Sequence, residues 1–427
     1  MAYVEITEQT WAFIAEHRDE DVRELALHAK RGGEVDLPFA LEQISGWQRA
    51  RVKLSEWAER ERLIFPPQVP MEQCSSQFTA QYKARLATRL LAQAAGGSCE
   101  SASLEASMPR QHTSLVDLTG GFGVDFSYMA RVFDNATYVE RQSNLCDLAR
   151  HNFPLLGLES ARVVNGDSTE VLGSLDSVSL IFLDPARRDS HGSRTYAIAD
   201  CTPDVLALKS QLLLKAPVVM VKLSPMLDWH KTVDDFAGSV HEVHIVSTGN
   251  ECKELLLVLR RGICPAPHLF CINDEQILEY DAPDDNDASA SPANLAQTSE
   301  TGGIVVDEAQ YLYEPNASIM KAGCFDVIAQ RFPVTMIAPN SHLFISEQRV
   351  EDFPGRSFAI ESVASMNKKE LKSSLAGLTH ANIAVRNFPM SVNTLRKKLK
   401  LKDGGKSYLF ATTDETGRHI VIVTVKA

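Results

Sequence analysis

Asp117-Leu118-Thr119-Gly120-Gly121-Phe122-Gly123 follows directly on the apolar run Ser114–Leu118. A strand that ends in an acid and a glycine-rich turn, and then opens a helix, is how an open α/β sheet makes a nucleotide pocket. Glycine lets the backbone approach a ligand where any Cβ would clash. A dinucleotide fingerprint needs a third glycine three positions beyond the second, to seat a pyrophosphate on the helix N-terminus. Counted from Gly121 and Gly123, that position is Phe126. The turn therefore favours a nucleoside ligand without a phosphate to cradle over NAD.

From 114 to 261 the alternation of strand and helix patterns is regular. Strands are predicted at Ser114–Leu118, Ala136–Glu140, Ala161–Asn165, Val178–Asp184 and Pro217–Leu223, with helices over 123–132, 142–155, 168–174 and 202–214. A fifth helix near Asp228–Phe236 is followed by two strands with no helix between them, His241–Thr248 and Glu254–Arg261. Five β–α units and a closing hairpin predict a mostly parallel sheet with one antiparallel strand.

The flanks read differently. At 427 residues the chain should hold two to four domains of roughly 100–200 residues. Residues 1–65 carry helical spacing (Trp11, Ile14, Ala15; Val22, Leu25, Ala26), with Asp36 as an N-cap, Pro38 in the first turn and a break expected near Gly46. Ser75 or Ser76 caps a helix running to about Ala95. The stretch 281–303 is acidic, small and proline-bearing, which predicts an exposed loop or linker. The tail predicts strands near 357–364, 381–386, 407–413 and 419–425, with helices near 368–377 and 391–400. The expected divisions are a helical domain over 1–65, the α/β core over 66–262, a linker with a short ferredoxin-like α+β segment over 263–332, and a basic α+β domain over 333–427.

Charge separates these parts. The whole chain carries −12, which argues against non-specific nucleic-acid binding by the entire molecule. From Arg331 onward, however, 15 lysines and arginines face 8 acids, and such asymmetry can mark a nucleic-acid-facing module. No run of eighteen apolar residues offers a membrane span. The start is acidic and lacks a signal peptide's basic and apolar regions. Eight cysteines without a Cys-x-x-Cys pair predict buried, reduced thiols in a cytoplasmic protein rather than a zinc ribbon. His241 and His244 would point to opposite faces of a strand, so no metal is expected.

Taken in order, these signals resemble a class I S-adenosylmethionine-dependent methyltransferase over about residues 75–261. Asp117 with Gly121 and Gly123 matches the first-strand cofactor motif. Glu140 ends the second strand, Asp167 follows the third in Asn165-Gly166-Asp167, and Asp184-Pro185 ends the fourth. The resemblance implies a Rossmann-like seven-stranded core and S-adenosyl-L-methionine as cofactor. It implies contacts from Asp117, Thr119, Gly121, Gly123, Glu140, Asp167 and Ser168. A carboxylate at the end of strand two suits the ribose hydroxyls; Asp167 suits the adenine amino group and Asp117 the methionine ammonium.

Asp184-Pro185-Ala186-Arg187-Arg188-Asp189 is similar to the Asp/Asn-Pro-Pro-aromatic motif of methyltransferases that modify nucleobase amino groups, with Ala186 in place of the second proline and Arg187 in place of the aromatic. This implies Asp184, Pro185 and Arg187 as catalytic residues that align the acceptor for in-line transfer, with Arg188, Lys222 and Ser224 as substrate contacts. The segment Gln73–Lys83 resembles the one that closes over cofactor in trimethylguanosine synthase-like enzymes. The whole order, including Asp352-Phe353-Pro354-Gly355-Arg356, resembles a bacterial methyltransferase family with a THUMP-like C-terminal domain. THUMP domains in general bind RNA, so the implied partner is RNA; the charge clustering of the run Leu395–Lys406 points to Lys397 and Lys398 as contacts.

Plainer readings stand beside these. Asp167 serves equally as the N-cap of the next helix. Arg187 and Arg188 suit a solvated pair, or partners of Asp189 or Asp200. Ser75, Ser76 and Lys83 suit a capped, exposed helix. The basic run Leu395–Lys406 suits a solvated helix end whose cations favour the dipole. The acidic total and the altered proline motif leave a small molecule or a protein side chain open as acceptor. A non-catalytic RNA-binding protein with a residual cofactor pocket is the third reading.

Overall fold

A computed structural model describes residues 6–28, 34–94, 112–187, 198–282 and 305–427. The chain divides into two compact units, residues 1–243 with 254–264, and residues 244–253 with 265–427.

The first unit opens with six helices: α1 Glu8–His17, α2 Val22–His28, α3 Leu37–Lys53, α4 Ser55–Ala58, α5 Gln68–Gln73 and α6 Gln77–Ala94. Thr7 caps α1, and Asp36 caps α3 with Pro38 in its first turn. The break expected near Gly46 does not occur, and α3 runs unbroken to Lys53. Gly46 is there for close approach instead: a Cβ would meet the Phe65 Cβ at 2.5 Å. Ser76 caps α6, its hydroxyl accepting from Thr79 N at 3.3 Å, whereas Ser75 turns toward the core. Ile14, Leu25, Ala40 and Ile44 form a small apolar core among the first helices.

Seven strands follow: β1 Ser114–Asp117, β2 Asn135–Glu140, β3 Arg162–Asn165, β4 Leu180–Leu183, β5 Val218–Leu223, β6 Val240–Thr248 and β7 Glu251–Arg260. Their order is β3-β2-β1-β4-β5-β7-β6. The pairs from β3 to β5 are parallel and β5–β7 is antiparallel, which is the mostly parallel sheet with one reversed strand expected from the alternation. Both faces are covered, so β4 is buried at all four positions, as a central parallel strand must be. The crossovers carry α7 Val124–Met129, α8 Ser143–Leu155, α9 Ser168–Ser174, α10 Val205–Lys215 and α11 Trp229–Asp235. The helix expected from 202 starts at Val205, because the Asp204 carboxylate caps it through Ala207 N at 3.1 Å.

The N-terminal helices are keyed to this sheet. Asn152 of α8 donates to Ile64 O at 2.8 Å and accepts from Ile64 N at 2.9 Å. Trp57, fully buried, meets Phe122 of the glycine turn edge-on at 5.0 Å between ring centres.

The second unit takes in the outer part of the β6–β7 hairpin, His244–Lys253. The hairpin β8 His268–Asn273 with β9 Gln276–Asp281 follows, in a stretch to which the sequence reading assigned no element. The expected linker 281–303 lies outside the described residues beyond Ala282. A seven-stranded sheet is then built from β10 Tyr311–Pro315, the short strand Thr335–Met336, β11 Phe344–Ser346, β12 Gly355–Ser365, β13 Asn382–Val385, β14 Ser407–Thr413 and β15 His419–Lys426. From Thr335–Met336 its order is β11-β10-β12-β15-β14-β13. Leu312, Phe358, Phe410 and Ile422 fill one core of this unit. Leu371, Leu395, Leu409 and Val421 fill the other, under α14 Lys368–Ser374 and α15 Val392–Leu399; α12 Ala317–Ala322 and α13 Phe325–Arg331 complete the unit. No helix among the described residues is long and apolar enough to cross a membrane. The seven cysteines among them are free thiols.

Candidate functional site

The carboxyl ends of β1, β2, β4 and β5 open on one cleft of about 260 Å³. The loop after β1 makes its floor. Thr119 N donates to Asp117 Oδ1 at 2.9 Å, and Thr119 Oγ1 accepts from Asp184 N at 2.5 Å, so one threonine ties the end of β1 to the end of β4. Gly121 and Gly123 sit at φ +53° and +86°, a region in which other residues are strained. Gly120 answers a different need: a Cβ there would lie 2.1 Å from the Tyr138 ring. That ring is fully buried against Phe126 and Phe153, and its hydroxyl donates to Gly121 O. Phe126, in the place of a third fingerprint glycine, is core.

Glu140, at the end of β2, is buried. Its Oε2 accepts from Gly121 N at 3.0 Å and its Oε1 from Gln142 N at 2.8 Å. Each oxygen has used one acceptor site and keeps another, which suits a vicinal diol. Asp167, exposed at the head of α9, caps it through Thr169 N at 2.8 Å. It also lines the cleft together with Ser168, so the two readings of Asp167 are compatible.

Behind Asp184 lies a buried ionic cluster. Lys222 Nζ is 2.6 Å from Asp184 Oδ2 and 3.4 Å from Asp125 Oδ2. Lys83 of α6, with no exposed surface, bonds both oxygens of Glu254 at 2.6 and 2.7 Å and stands 3.1 Å from Asp125 Oδ1. Ser75 Oγ donates to Asp125 Oδ2 at 2.7 Å.

These neighbours set the protonation of the site. Burial raises Asp117 well above the ordinary carboxylate range; the Thr119 N–H works against this, and the charges of Asp125, Asp184 and Glu140 add to it. Burial alone would raise Asp125 as well, but Lys83 and Lys222 hold it below its ordinary value. Burial pulls Lys222 down, yet Asp184, then Asp125, keep it well above the usual lysine value.

The structure thus brings Asp117, Thr119, Gly121, Gly123, Glu140, Asp167, Ser168, Asp184 and Lys222 to one cleft. Pro185 is buried beside it. Ser224 lies half-buried just past β5, accepts from Met226 N at 3.3 Å and does not line the cleft. Arg187 contributes backbone to a two-residue ladder with Cys201, and Arg188 lies outside the described residues. Lys397 and Lys398 are exposed on α15 in the second unit. Sequence reasoning gave no role to Asp125 or Glu254. Lys83, read beside an exposed helix, is buried because α6 packs on α7 and carries it to Glu254 of β7; the apolar stripe of α6 was the available signal.

An α/β sheet of this order, with one reversed strand and acidic residues at the ends of β1, β2 and β4, defines the class I methyltransferase fold. A family profile described as THUMP domain-like matches residues 355–426, and one described as a ferredoxin-like domain matches 311–354. Among solved structures, a candidate methyltransferase from Porphyromonas gingivalis W83 is 30% identical over 100% of both chains, with a TM-score of 0.80. The chain belongs to this methyltransferase family, whose C-terminal domain is THUMP-like. A SAM-dependent methyltransferase from Agrobacterium tumefaciens matches 42% of this chain and 62% of its own at 15% identity and a TM-score of 0.29. A candidate RNA methyltransferase from Pyrococcus horikoshii matches 51% and 99% at 13% and 0.33. At those scores neither bears on this chain. No curated protein sequence matches it.

Proposed function

We propose that this protein transfers a methyl group from S-adenosylmethionine to RNA, at a nucleobase. The observation that carries the donor assignment is Glu140: a buried carboxylate at the end of β2, fixed by two backbone N–H groups, with acceptor capacity left on both oxygens. That is the chemistry a ribose diol needs. Asp167 and Ser168 offer polar groups for an adenine edge, and Asp117 a carboxylate for an ammonium. When bound, S-adenosylmethionine supplies an electrophilic methyl group on a sulfonium. The chain's own part is alignment. Thr119 and Lys222 fix Asp184 from two sides, leaving Oδ1 without a partner among the described residues to accept from an acceptor amine. RNA as acceptor is supported by the THUMP-like match over 355–426 and by the cationic surplus of the tail.

Calorimetry with S-adenosylmethionine tests the donor reading, and absence of binding would end it. Labelled donor incubated with RNA from cells lacking this protein tests the acceptor. Label in RNA is expected; label only in protein or small metabolites would replace RNA. Asp184→Ala is expected to abolish transfer and leave donor affinity within about threefold, the pattern of a residue that acts on the transition state alone.

A further inference from the structure

Five charged side chains of the first unit alternate in sign along one line of contacts. Glu254 of β7 meets Lys83 of α6 through both its oxygens, at 2.6 and 2.7 Å. Lys83 stands 3.1 Å from Asp125 of α7, Asp125 stands 3.4 Å from Lys222 of β5, and Lys222 stands 2.6 Å from Asp184 after β4. Exposure rises along the line, from 0% and 2% at Lys83 and Glu254, through 10% and 11% at Asp125 and Lys222, to 40% at Asp184. The line thus runs from the interior to the cleft and ends on the member that solvent reaches most. We infer that Lys83 is a positioning residue for methyl transfer, which keeps Lys222 on Asp184 by satisfying Asp125. This rests on the reading of Asp184 as the residue that aligns the acceptor, and deepens it.

Lys222 faces two carboxylates and is shared unevenly between them. Asp184 holds it at the shorter distance, because Asp125 already has Lys83 at 3.1 Å and the Ser75 hydroxyl at 2.7 Å. Without the Lys83 charge, Lys222 is the cation left beside Asp125 among the described residues. A carboxylate 10% exposed costs more to leave unpaired than one 40% exposed, since water solvates the second. Lys222 then closes on Asp125 and releases the Asp184 side chain. Thr119 still holds Asp184 N, so the backbone keeps its place while the carboxylate loses its direction. A displacement of about 1 Å in an aligning group costs up to about a hundredfold in rate. The donor contacts proposed for Glu140 and Asp167 lie outside this line of charges, so donor affinity is spared.

The test uses the full-length protein, labelled S-adenosylmethionine and RNA from cells lacking this protein, with donor affinity read by calorimetry. Lys83→Met with Glu254→Leu removes the Lys83 charge without leaving Glu254 bare. It is expected to lower the rate at saturating donor by about tenfold or more and to keep donor affinity within about twofold. Adding Asp125→Asn removes the competing carboxylate and should return the rate to within about threefold of wild type. A Lys83 that only holds α6 in place predicts neither the split nor the rescue. Lys83→Gln with Glu254→Gln, which keeps a hydrogen bond between α6 and β7, makes the same test if the apolar pair does not fold. A rate unchanged in the double variant, or a loss that Asp125→Asn does not relieve, would overturn the inference and leave the role of Asp184 standing. Transfer that survives Asp184→Ala, or no transfer by the wild type, would remove the reading beneath it and this inference with it.

Discussion

Burial raises two aspartates eight positions apart, Asp117 and Asp125, but only Asp125 has lysines beside it to reverse the shift. Burial, with the charges of Asp125, Asp184 and Glu140 adding to it and no cation paired with it among the described residues, makes folded Asp117 hold its proton more tightly than the unfolded chain does. That contribution to stability is complete below the ordinary carboxylate value of 3.8 and is lost as pH rises through the raised one. Asp117→Asn should therefore raise the melting temperature of the ligand-free protein at pH 8 by about 2–4 °C, with no gain at pH 4, while weakening donor binding. Differential scanning calorimetry at the two pH values checks this. Asp125 has the reverse sign: Lys83 and Lys222 lower it, so its contribution is present above 3.8 and lost as pH falls through the lowered value. Glu140→Ala removes both the fixed acceptor and its anchor on Gly121, and should cost donor affinity tenfold or more, about 1.4 kcal/mol, read by the same titration used for the wild type.

At the scale of elements, Lys83 joins α6 to β7 through Glu254 and α6 to α7 through Asp125. Removing one member of a buried pair leaves the other charge without compensation, at a cost of about 3–5 kcal/mol. Lys83→Met should lower stability by that amount in urea unfolding. Lys83→Met with Glu254→Leu should recover a large part of it, because an apolar pair of similar volume has no charge to desolvate. A double variant no better than the single one would show that α6 is held by its apolar stripe and not by this pair. The glycine turn is set by another element too. Gly120 lies under a ring that β2 brings, at a distance that no Cβ allows. Gly120→Ala should destabilise the protein more than Gly157→Ala, although the latter sits at φ +77°, because nothing lies within 4 Å of a Cβ at Gly157.

For the whole molecule, the acidic balance ahead of Arg331 and the cationic surplus after it suit the two proposed tasks, donor binding and RNA binding. The proposed RNA contacts lie on a unit whose Leu395 is buried while Lys397 and Lys398 of the same helix are exposed. Lys397→Glu with Lys398→Glu should weaken RNA binding and reduce the slope of log K against log salt by about 1–2, with donor affinity unchanged. Filter binding over a salt series measures it; an unchanged slope removes α15 from the interface.

The strand ends were legible because they are local. An acid that follows an apolar run, or precedes a glycine turn or a helix cap, announces itself within ten residues, and a parallel sheet then gathers such ends on one edge. Asp117, Glu140, Asp167 and Asp184 were found in that way, and the antiparallel β7 followed from two strands lacking a helix between them. Gly46 misled because a glycine inside a helix reads alike whether it breaks the helix or admits a neighbour such as Phe65. The Lys83–Glu254 pair, 171 positions apart, left no mark in either segment alone. The order of residues along this chain fixed which side chains reach the rim of the cleft, because strand period and turn chemistry act over short distances. Which of those charges are matched and which stay bare was decided only in three dimensions, because ion pairing and desolvation depend on what the fold brings within a few ångströms.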